Sequence, residues 1–142
     1  MTDQTDFRWP DEGLTHIPDW IYTSDEIYAR ERERIFLGPS WNFIALEAEL
    51  PLPGDFKRSY VGDVPIIVTR DADGHINAFE NRCAHRGLEF CRKLRGNASE
   101  FICPYHQWTY DLTGKLMAVP FRRGDRGKGG MPADFDMADH RP

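Results

Sequence analysis

The spacing of apolar residues changes along the chain, from no regular period at the start to a helical period before residue 40 and a period of two after it. Residues 1–23 contain prolines and scattered aromatic side chains without a regular period, which predicts an extended arm. Ser24 has a side chain suited to cap a helix, and two acidic residues follow it at the positive end of the helix dipole. The chain then keeps a helical pattern up to a Gly-Pro pair at residues 38–39. This pattern predicts one short helix over residues 24–37.

From residue 41 onward the apolar positions recur at every second residue, which is typical of β-strands. Turn residues separate the apolar runs, and the stretches 71–74 and 111–114 both have the composition of hairpin turns. We therefore expect a mainly β fold built from antiparallel sheets. The predicted strands are residues 41–46, 56–61, 65–69, 75–80, 101–102, 108–110 and 115–119.

The pattern changes again after Pro120. Residues 121–132 combine glycines with basic residues and have no apolar period, which predicts a flexible linker. The glycines superficially suggest a phosphate-binding loop, but no Lys-Ser or Lys-Thr pair follows them, so the linker is the favoured interpretation. The patterns thus predict three regions, an arm with a helix over 1–40, a β domain over 41–120 and a linker over 121–142.

Composition and charge exclude several classes of protein. The 142 residues are 40% hydrophobic and 13% aromatic, which is enough for one domain with its own core. A net charge of −5 argues against general affinity for nucleic acid or anionic lipid. No apolar run approaches the length of a membrane span, and the polar N-terminus has neither a signal nor a transit pattern. An odd number of cysteines, three, argues against a disulfide framework, and we expect a cytoplasmic protein.

Two short cysteine–histidine pairs carry the candidate chemistry. Cys83 and His85 form the first pair, Cys103 and His106 form the second, and seventeen residues separate the two. Two thiolates and two imidazoles from two loops can bind an iron pair asymmetrically, with the cysteines on one iron and the histidines on the other. This is the ligand set of a Rieske [2Fe–2S] centre. Replacing two thiolates by neutral imidazoles removes negative charge and raises the reduction potential above that of an all-cysteine cluster.

The cysteines and histidines also allow other interpretations. A structural zinc site also accepts two cysteines and two histidines, although zinc fingers more usually keep the cysteines as one close pair and the histidines as another. Two unrelated cysteine–histidine neighbours without a metal remain a further alternative. Cys91 is interpreted as a small, partly buried free thiol. A mononuclear iron site at Asp136, Asp139 and His140 is disfavoured, because a facial triad needs two histidines and a carboxylate.

The residues around the two pairs resemble a known family. Residues 79–87, Phe-Glu-Asn-Arg-Cys-Ala-His-Arg-Gly, and residues 103–111, Cys-Pro-Tyr-His-Gln-Trp-Thr-Tyr-Asp, are similar to the N-terminal Rieske domain of aromatic ring-hydroxylating oxygenase large subunits. Residues 116–121 and 129–135 look most like the salicylate hydroxylase and anthranilate dioxygenase branch. The resemblance covers nearly the whole chain. It assigns the cluster-ligand roles to Cys83, His85, Cys103 and His106, a tight loop to Arg86 and Gly87, and packing near the cluster to Trp108.

Departures from related patterns refine this expectation. Gln107 stands where many members have glycine. Respiratory Rieske proteins join their two loops by a disulfide, and the matching positions here are Leu88 and Tyr105, so no such bridge can form. The serine that donates to a bridging sulfide in those proteins corresponds to Trp108, which predicts a potential at the low end of the Rieske range. Tyr110 can still donate a hydrogen bond to a cysteine sulfur.

The resemblance also implies partners. Large subunits of this family continue into a larger domain with a mononuclear Fe(II) on two histidines and a carboxylate, and 142 residues leave no room for it. We therefore expect a portion that relays electrons from a reductase or ferredoxin to an iron site outside this chain. A trimeric large-subunit assembly, with or without a small subunit, is implied for the full-length protein. The alternative is a free-standing Rieske ferredoxin, against which the arm and helix before Trp41 and the tail after Pro120 argue.

Overall fold

The computed structural model describes residues 7–11 and 13–142. Contacts between residues divide the chain into two compact units, Met1–Asn42 and Phe43–Pro142. In the described residues, no helix is long and apolar enough to cross a membrane.

The first unit is helical. It contains a 3₁₀ turn at Gly13–Thr15, helix α1 at Trp20–Thr23, helix α2 at Asp25–Glu31 and a π-helical turn at Arg32–Phe36. The predicted N-cap is confirmed, because the Ser24 side chain accepts a hydrogen bond from the Ile27 amide at 3.3 Å. The prediction of a fully extended arm is wrong at α1, where the Thr23 hydroxyl donates to the Asp19 carbonyl and supports a helical turn. The part of that prediction at residues 1–6 and 12 lies outside the described residues.

The second unit contains two antiparallel sheets, which confirms the mainly β prediction. The larger sheet has the order β3–β2–β1–β4, and the smaller one has the order β5–β6–β7. Two 3₁₀ turns lie at Glu47–Glu49 and Met137–Asp139. The strands are β1 Asp55–Val61, β2 Val64–Arg70, β3 Ile76–Glu80, β4 Arg95–Asn97, β5 Phe101–Ile102, β6 Thr109–Tyr110 and β7 Leu116–Ala118.

Two features of the sheets differ from the prediction. Residues 41–46 do not form a strand, and the side chains that were expected to alternate remain largely exposed, with Phe43 at 73% and Leu46 at 59%. Strand β4 was not predicted, because all three of its residues are exposed and give no apolar alternation. Its extended conformation comes from pairing with Asp55–Lys57 of β1.

The core of the second unit lies between the sheets and under the loops that leave them. Phe101 is central to it, since its ring lies 5.3 Å from that of Phe56, 5.9 Å from Phe90 and 6.1 Å from Phe79. The buried Thr69 hydroxyl of β2 donates to the Leu112 carbonyl in the turn after β6. The two sheets are thus joined by aromatic packing and a buried hydrogen bond.

The last twenty residues pack on this unit. Met131, Phe135 and Met137 lie against the core, and the Met131 amide donates to the Arg122 carbonyl at 2.9 Å. The segment predicted as a flexible linker therefore has defined contacts at its apolar positions. Its role as a connection to a further domain stays a prediction.

Candidate metal centre

The first cysteine–histidine pair lies in the loop that follows β3. The Cys83 amide donates to the Leu88 carbonyl at 2.9 Å, and the Cys83 carbonyl accepts from the Gly87 amide at 2.7 Å. Gly87 has φ +69°, a left-handed conformation that glycine adopts without steric cost. These two backbone bonds close a tight turn of the chain, and this turn carries the Cys83 and His85 side chains.

The second pair lies between β5 and β6, in a loop closed in the same way. The Cys103 amide donates to the Trp108 carbonyl and the Gln107 amide donates to the Cys103 carbonyl, both at 2.9 Å. Gln107 occupies the position of Gly87 in the first loop and has the same left-handed backbone, with φ +58°. The sequence departure at Gln107 therefore leaves the loop closed, at the cost of backbone strain in a residue with a side chain.

The two thiols lie together on the buried side of the site. Cys83 and Cys103 are each 2% exposed, and their sulfurs are close enough to interact. The three cysteines, Cys91 included, are free thiols. Burial raises the pKa of the Cys83 thiol, the hydrogen bond from Tyr110 opposes this, and the neighbouring Cys103 raises the pKa further. A thiolate pair here therefore needs a compensating positive charge.

Tyr110 has its hydroxyl beside the Cys83 sulfur, at 3.2 Å. The same oxygen accepts a hydrogen bond from the Ala84 amide at 3.0 Å. Either the phenol or the thiol can donate between Tyr110 and Cys83, but once the sulfur is a thiolate only the phenol can donate. Burial, and then the hydrogen bond to Cys83, raise the pKa of the Tyr110 phenol, which keeps it protonated. The predicted contact between Tyr110 and a cysteine sulfur is present.

The two imidazoles form the second, more exposed pair. The rings of His85 and His106 lie edge to face with their centres 4.6 Å apart. The Nδ1 atom of His106 is buried and has no hydrogen-bond partner, which is costly for a polar atom unless it binds something. Partial burial, and then the neighbouring His106 and Arg86, lower the pKa of His85. A lowered pKa favours the neutral imidazole, which is the form that binds metals.

The spread of the four side chains bears on the number of metal ions. In the described part of the chain, three candidate ligand atoms come within 4.8 Å of one another at only one place, the turn of Asp71, Asp73 and His75. The two thiols and two imidazoles therefore do not converge on one point. One tetrahedral zinc ion needs such convergence, because its ligands lie about 2.0–2.3 Å from the metal. Two adjacent metal ions, each taking one pair of ligands, fit the arrangement.

The turn at Asp71 is explained without a metal. Asp71 accepts hydrogen bonds from the amides of Asp73 and His75 and from the Asn77 side chain. These bonds close the β2–β3 hairpin and, with the Asn77 contribution first, lower the pKa of Asp71. The His75 side chain is 75% exposed, as expected for a residue beside a turn.

An aromatic residue stacks on one of the two histidines. The Trp108 indole, itself 3% exposed, stacks on the His85 ring at 4.9 Å with 12° between the planes, which fits the packing role implied for it by the resemblance. Sequence reasoning missed Phe135 and His140, whose rings each lie 5.9 Å from the indole. The sequence suggests for His140 only the disfavoured mononuclear iron site. Its Nδ1 lies 2.7 Å from the Asp136 carbonyl, and no local pattern in the tail indicates the contact with Trp108.

Comparison with known proteins places the chain in a family. The model of the Rieske [2Fe-2S] domain matches residues 40–126. The anthranilate 1,2-dioxygenase large subunit of Burkholderia cepacia is 54% identical over 138 residues, covering 97% of this chain and 33% of that protein. The large oxygenase component of salicylate 5-hydroxylase of Ralstonia sp is 53% identical over 139 residues, with 95% and 33% covered. This chain thus spans about a third of the length of these relatives, and the predicted resemblance to their branch is confirmed.

Solved structures agree with the sequence comparison. The structure of naphthalene 1,2-dioxygenase from Rhodococcus sp. bound to indole matches with a TM-score of 0.76 and 38% identity, over 92% of this chain and 28% of that one. The antiparallel fold is consistent with the matched family. The chain belongs to the Rieske [2Fe–2S] domain family.

Proposed function

We propose that Cys83 and Cys103 bind one iron of a [2Fe–2S] cluster and that His85 and His106 bind the other. The observation that carries this proposal is the separation of the four side chains into a buried thiol pair and an outer imidazole pair. The unpartnered Nδ1 of His106 supports ligation through that atom. A cluster bound in this way supplies one-electron transfer at a potential above that of an all-cysteine ferredoxin.

The surrounding residues have separate roles in this proposal. Tyr110 donates a hydrogen bond to the Cys83 sulfur and stabilises negative charge on it. The buried thiol side excludes water, whereas His85 and His106 are partly exposed. We infer that electrons leave through the histidine side, because it is the side that a partner can approach.

For the whole protein we propose the electron-transfer part of a ring-hydroxylating oxygenase large subunit. Support comes from the two relatives, which are a dioxygenase large subunit and a hydroxylase large oxygenase component. A reductase or ferredoxin would supply the electrons, a mononuclear Fe(II) site outside residues 1–142 would receive them, and large subunits would assemble as a trimer, with or without a small subunit. The names of the relatives favour an aromatic acid as the substrate, and the three free thiols support a cytoplasmic location.

The cofactor proposal is tested on the chain itself. The protein is produced with iron and sulfide available, and iron, acid-labile sulfide and zinc are quantified per chain. We expect two irons and two sulfides, together with an electron paramagnetic resonance signal that develops only on reduction. A colourless protein loaded with zinc would contradict the proposal.

The place of the chain in an oxygenase is tested separately, by reading the coding sequence after Pro142. An in-frame continuation that encodes two histidines and a carboxylate in a second domain supports the oxygenase assignment. A stop codon favours the alternative of a free-standing Rieske ferredoxin.

A further inference from the structure

Two aromatic residues of the tail contact the indole that stacks on a proposed cluster ligand. Trp108 stacks on His85 with 12° between the ring planes, and Phe135 and His140 approach the same indole nearly at right angles, at 75° and 68°. Stacked and edge-to-face contacts are both favourable aromatic geometries. Trp108 is therefore held between a proposed metal ligand and two residues of the tail.

The tail residues are themselves fixed in place. The Phe135 and His140 rings lie 4.4 Å apart, and the Nδ1 atom of His140 lies 2.7 Å from the Asp136 carbonyl. Arg122 lies over the Phe135 ring at 5.8 Å and donates a hydrogen bond to the Phe135 carbonyl at 3.3 Å. Contacts with Asp136 and Arg122 thus hold the aromatic pair in place.

We propose that Phe135 and His140 are positioning residues that hold Trp108 against His85 and thereby set the orientation and solvation of this ligand. The inference rests on the proposed ligation by His85. It extends that proposal to residues about fifty positions further along the chain.

The direction of the effect follows from charge. Reduction adds one negative charge to the site, and water stabilises negative charge better than an aromatic wall does. Removal of the tail rings gives water access to the His85 side and favours the reduced form. The reduction potential should therefore rise when these rings are truncated, and the wider range of His85 orientations should broaden the resonance signal of the reduced protein.

The experiment compares the single variants Phe135→Ala and His140→Ala, their double variant, and the conservative variant His140→Phe. Tyr60→Ala is the matched control, because Tyr60 is a half-exposed aromatic residue of β1. Each protein is assayed for iron content, midpoint potential by spectroelectrochemical titration, and linewidth and histidine nitrogen hyperfine coupling in the reduced state. Should the double variant lose its cluster, the single variants carry the measurement.

We expect wild-type iron content with a raised potential and a broadened signal in the alanine variants, and values near wild type for His140→Phe and Tyr60→Ala. A potential and spectrum unchanged in both alanine variants would overturn the positioning role. An equal shift in the Tyr60→Ala control would overturn it too. A wild-type chain that binds no iron would instead overturn the proposed function, so the two failures are distinguishable.

Discussion

The hydroxyl of Tyr110 lies 3.2 Å from the sulfur of Cys83, and these two residues connect the second ligand loop to the first across 27 positions of sequence. Tyr110 is fully buried and belongs to β6, directly after the loop of the second ligand pair. Its oxygen accepts from the Ala84 amide at the same time, and its hydroxyl is the donor to the sulfur whenever Cys83 is a thiolate. One side chain thus holds the first loop in register and modifies the charge on its thiolate.

The variant Tyr110→Phe tests this relationship. Loss of the donor removes stabilisation of the more negative, reduced state, so we expect the cluster to assemble with a lowered midpoint potential. The Ala84 amide also loses its acceptor, which should reduce the free energy of unfolding by about 1 kcal/mol. Tyr60→Phe, at a half-exposed tyrosine, is the control and should change neither quantity. An unchanged potential in Tyr110→Phe would contradict the donor role.

The ligand assignment predicts that variants of ligand residues lose the cluster and that a variant of the third cysteine keeps it. Cys83→Ser and His106→Ala should abolish the cluster, because each removes one of four ligands. Cys91→Ser should leave the visible spectrum intact, since the Cys91 thiol is 5% exposed and directed to the Lys93 carbonyl at 3.6 Å. Iron content and the visible spectrum check both expectations. Loss of colour in the Cys91 variant would show that the assignment of ligands is wrong.

Asn81 is predicted to stabilise the first ligand loop through hydrogen bonds to the backbone that follows it. It is fully buried two residues before Cys83, and its side chain exchanges two hydrogen bonds with the backbone of Cys91, at 2.8 and 3.0 Å. Asn81→Ala leaves the buried Cys91 amide without its acceptor and the Cys91 carbonyl with only the long bond from Arg58 at 3.5 Å, and should lower the free energy of unfolding by about 2–4 kcal/mol. Asn77→Ala, in β3 just before Asn81 but bonded near the surface, should cost less than about 1 kcal/mol in urea unfolding. Equal losses in the two variants would count against this role of Asn81.

Gly87 and Gln107 both have a left-handed backbone, and substitutions at the two positions should change the free energy of unfolding in opposite directions. A Cβ at Gly87 would meet no atom within 4 Å, so Gly87→Ala changes backbone strain alone. We expect it to lower the free energy of unfolding by about 1 kcal/mol, whereas Gln107→Gly relieves the same strain and should be neutral or stabilising by a similar amount. Thermal unfolding of the metal-free chain measures both. Destabilisation by Gln107→Gly would mean that the Gln107 side chain contributes more than its backbone costs.

Acid should weaken the pairing of β1 with β4. Asp55 accepts hydrogen bonds from the Asn97 side chain and the Leu52 amide, at 2.9 and 2.8 Å, and these bonds lower its pKa from 3.8. A lowered folded-state pKa gives stability that is present above pH 3.8 and is lost as pH falls through the folded value. In Asp55→Asn the dependence of stability on pH below about 4 should be shallower. Urea unfolding at several acidic pH values measures the slope, and an unchanged slope would show that Asp55 does not contribute.

Much of the site was predictable because its signals are local. Each ligand pair lies within four residues, and the hairpin turns at Asp71 and Asp111 place their acidic side chains where turn amides need acceptors. The β-branched residues of β2 likewise indicate a strand, although Ile67, Val68 and Thr69 are buried in succession. The family resemblance rests mainly on the stretches around the two ligand pairs.

The remaining features depend on tertiary contacts that local patterns do not encode. Strand β4 is exposed on all three residues and is extended only because β1 pairs with it. Residues 41–46 have the alternation of a strand but do not form one. The approach of Phe135 and His140 to Trp108 joins segments about thirty residues apart, and neither ring belongs to a periodic pattern.

The matching hydrogen-bond rings that close the two ligand loops have a consequence for the speed of electron transfer. Each ring uses only the amide and carbonyl of a cysteine and residues four and five positions later, so both loops are fixed by their own backbone. Groups held in this way keep nearly the same positions before and after a charge arrives. A cluster held by these two loops should consequently have a small reorganisation energy, so electron transfer should need little movement of the surrounding atoms.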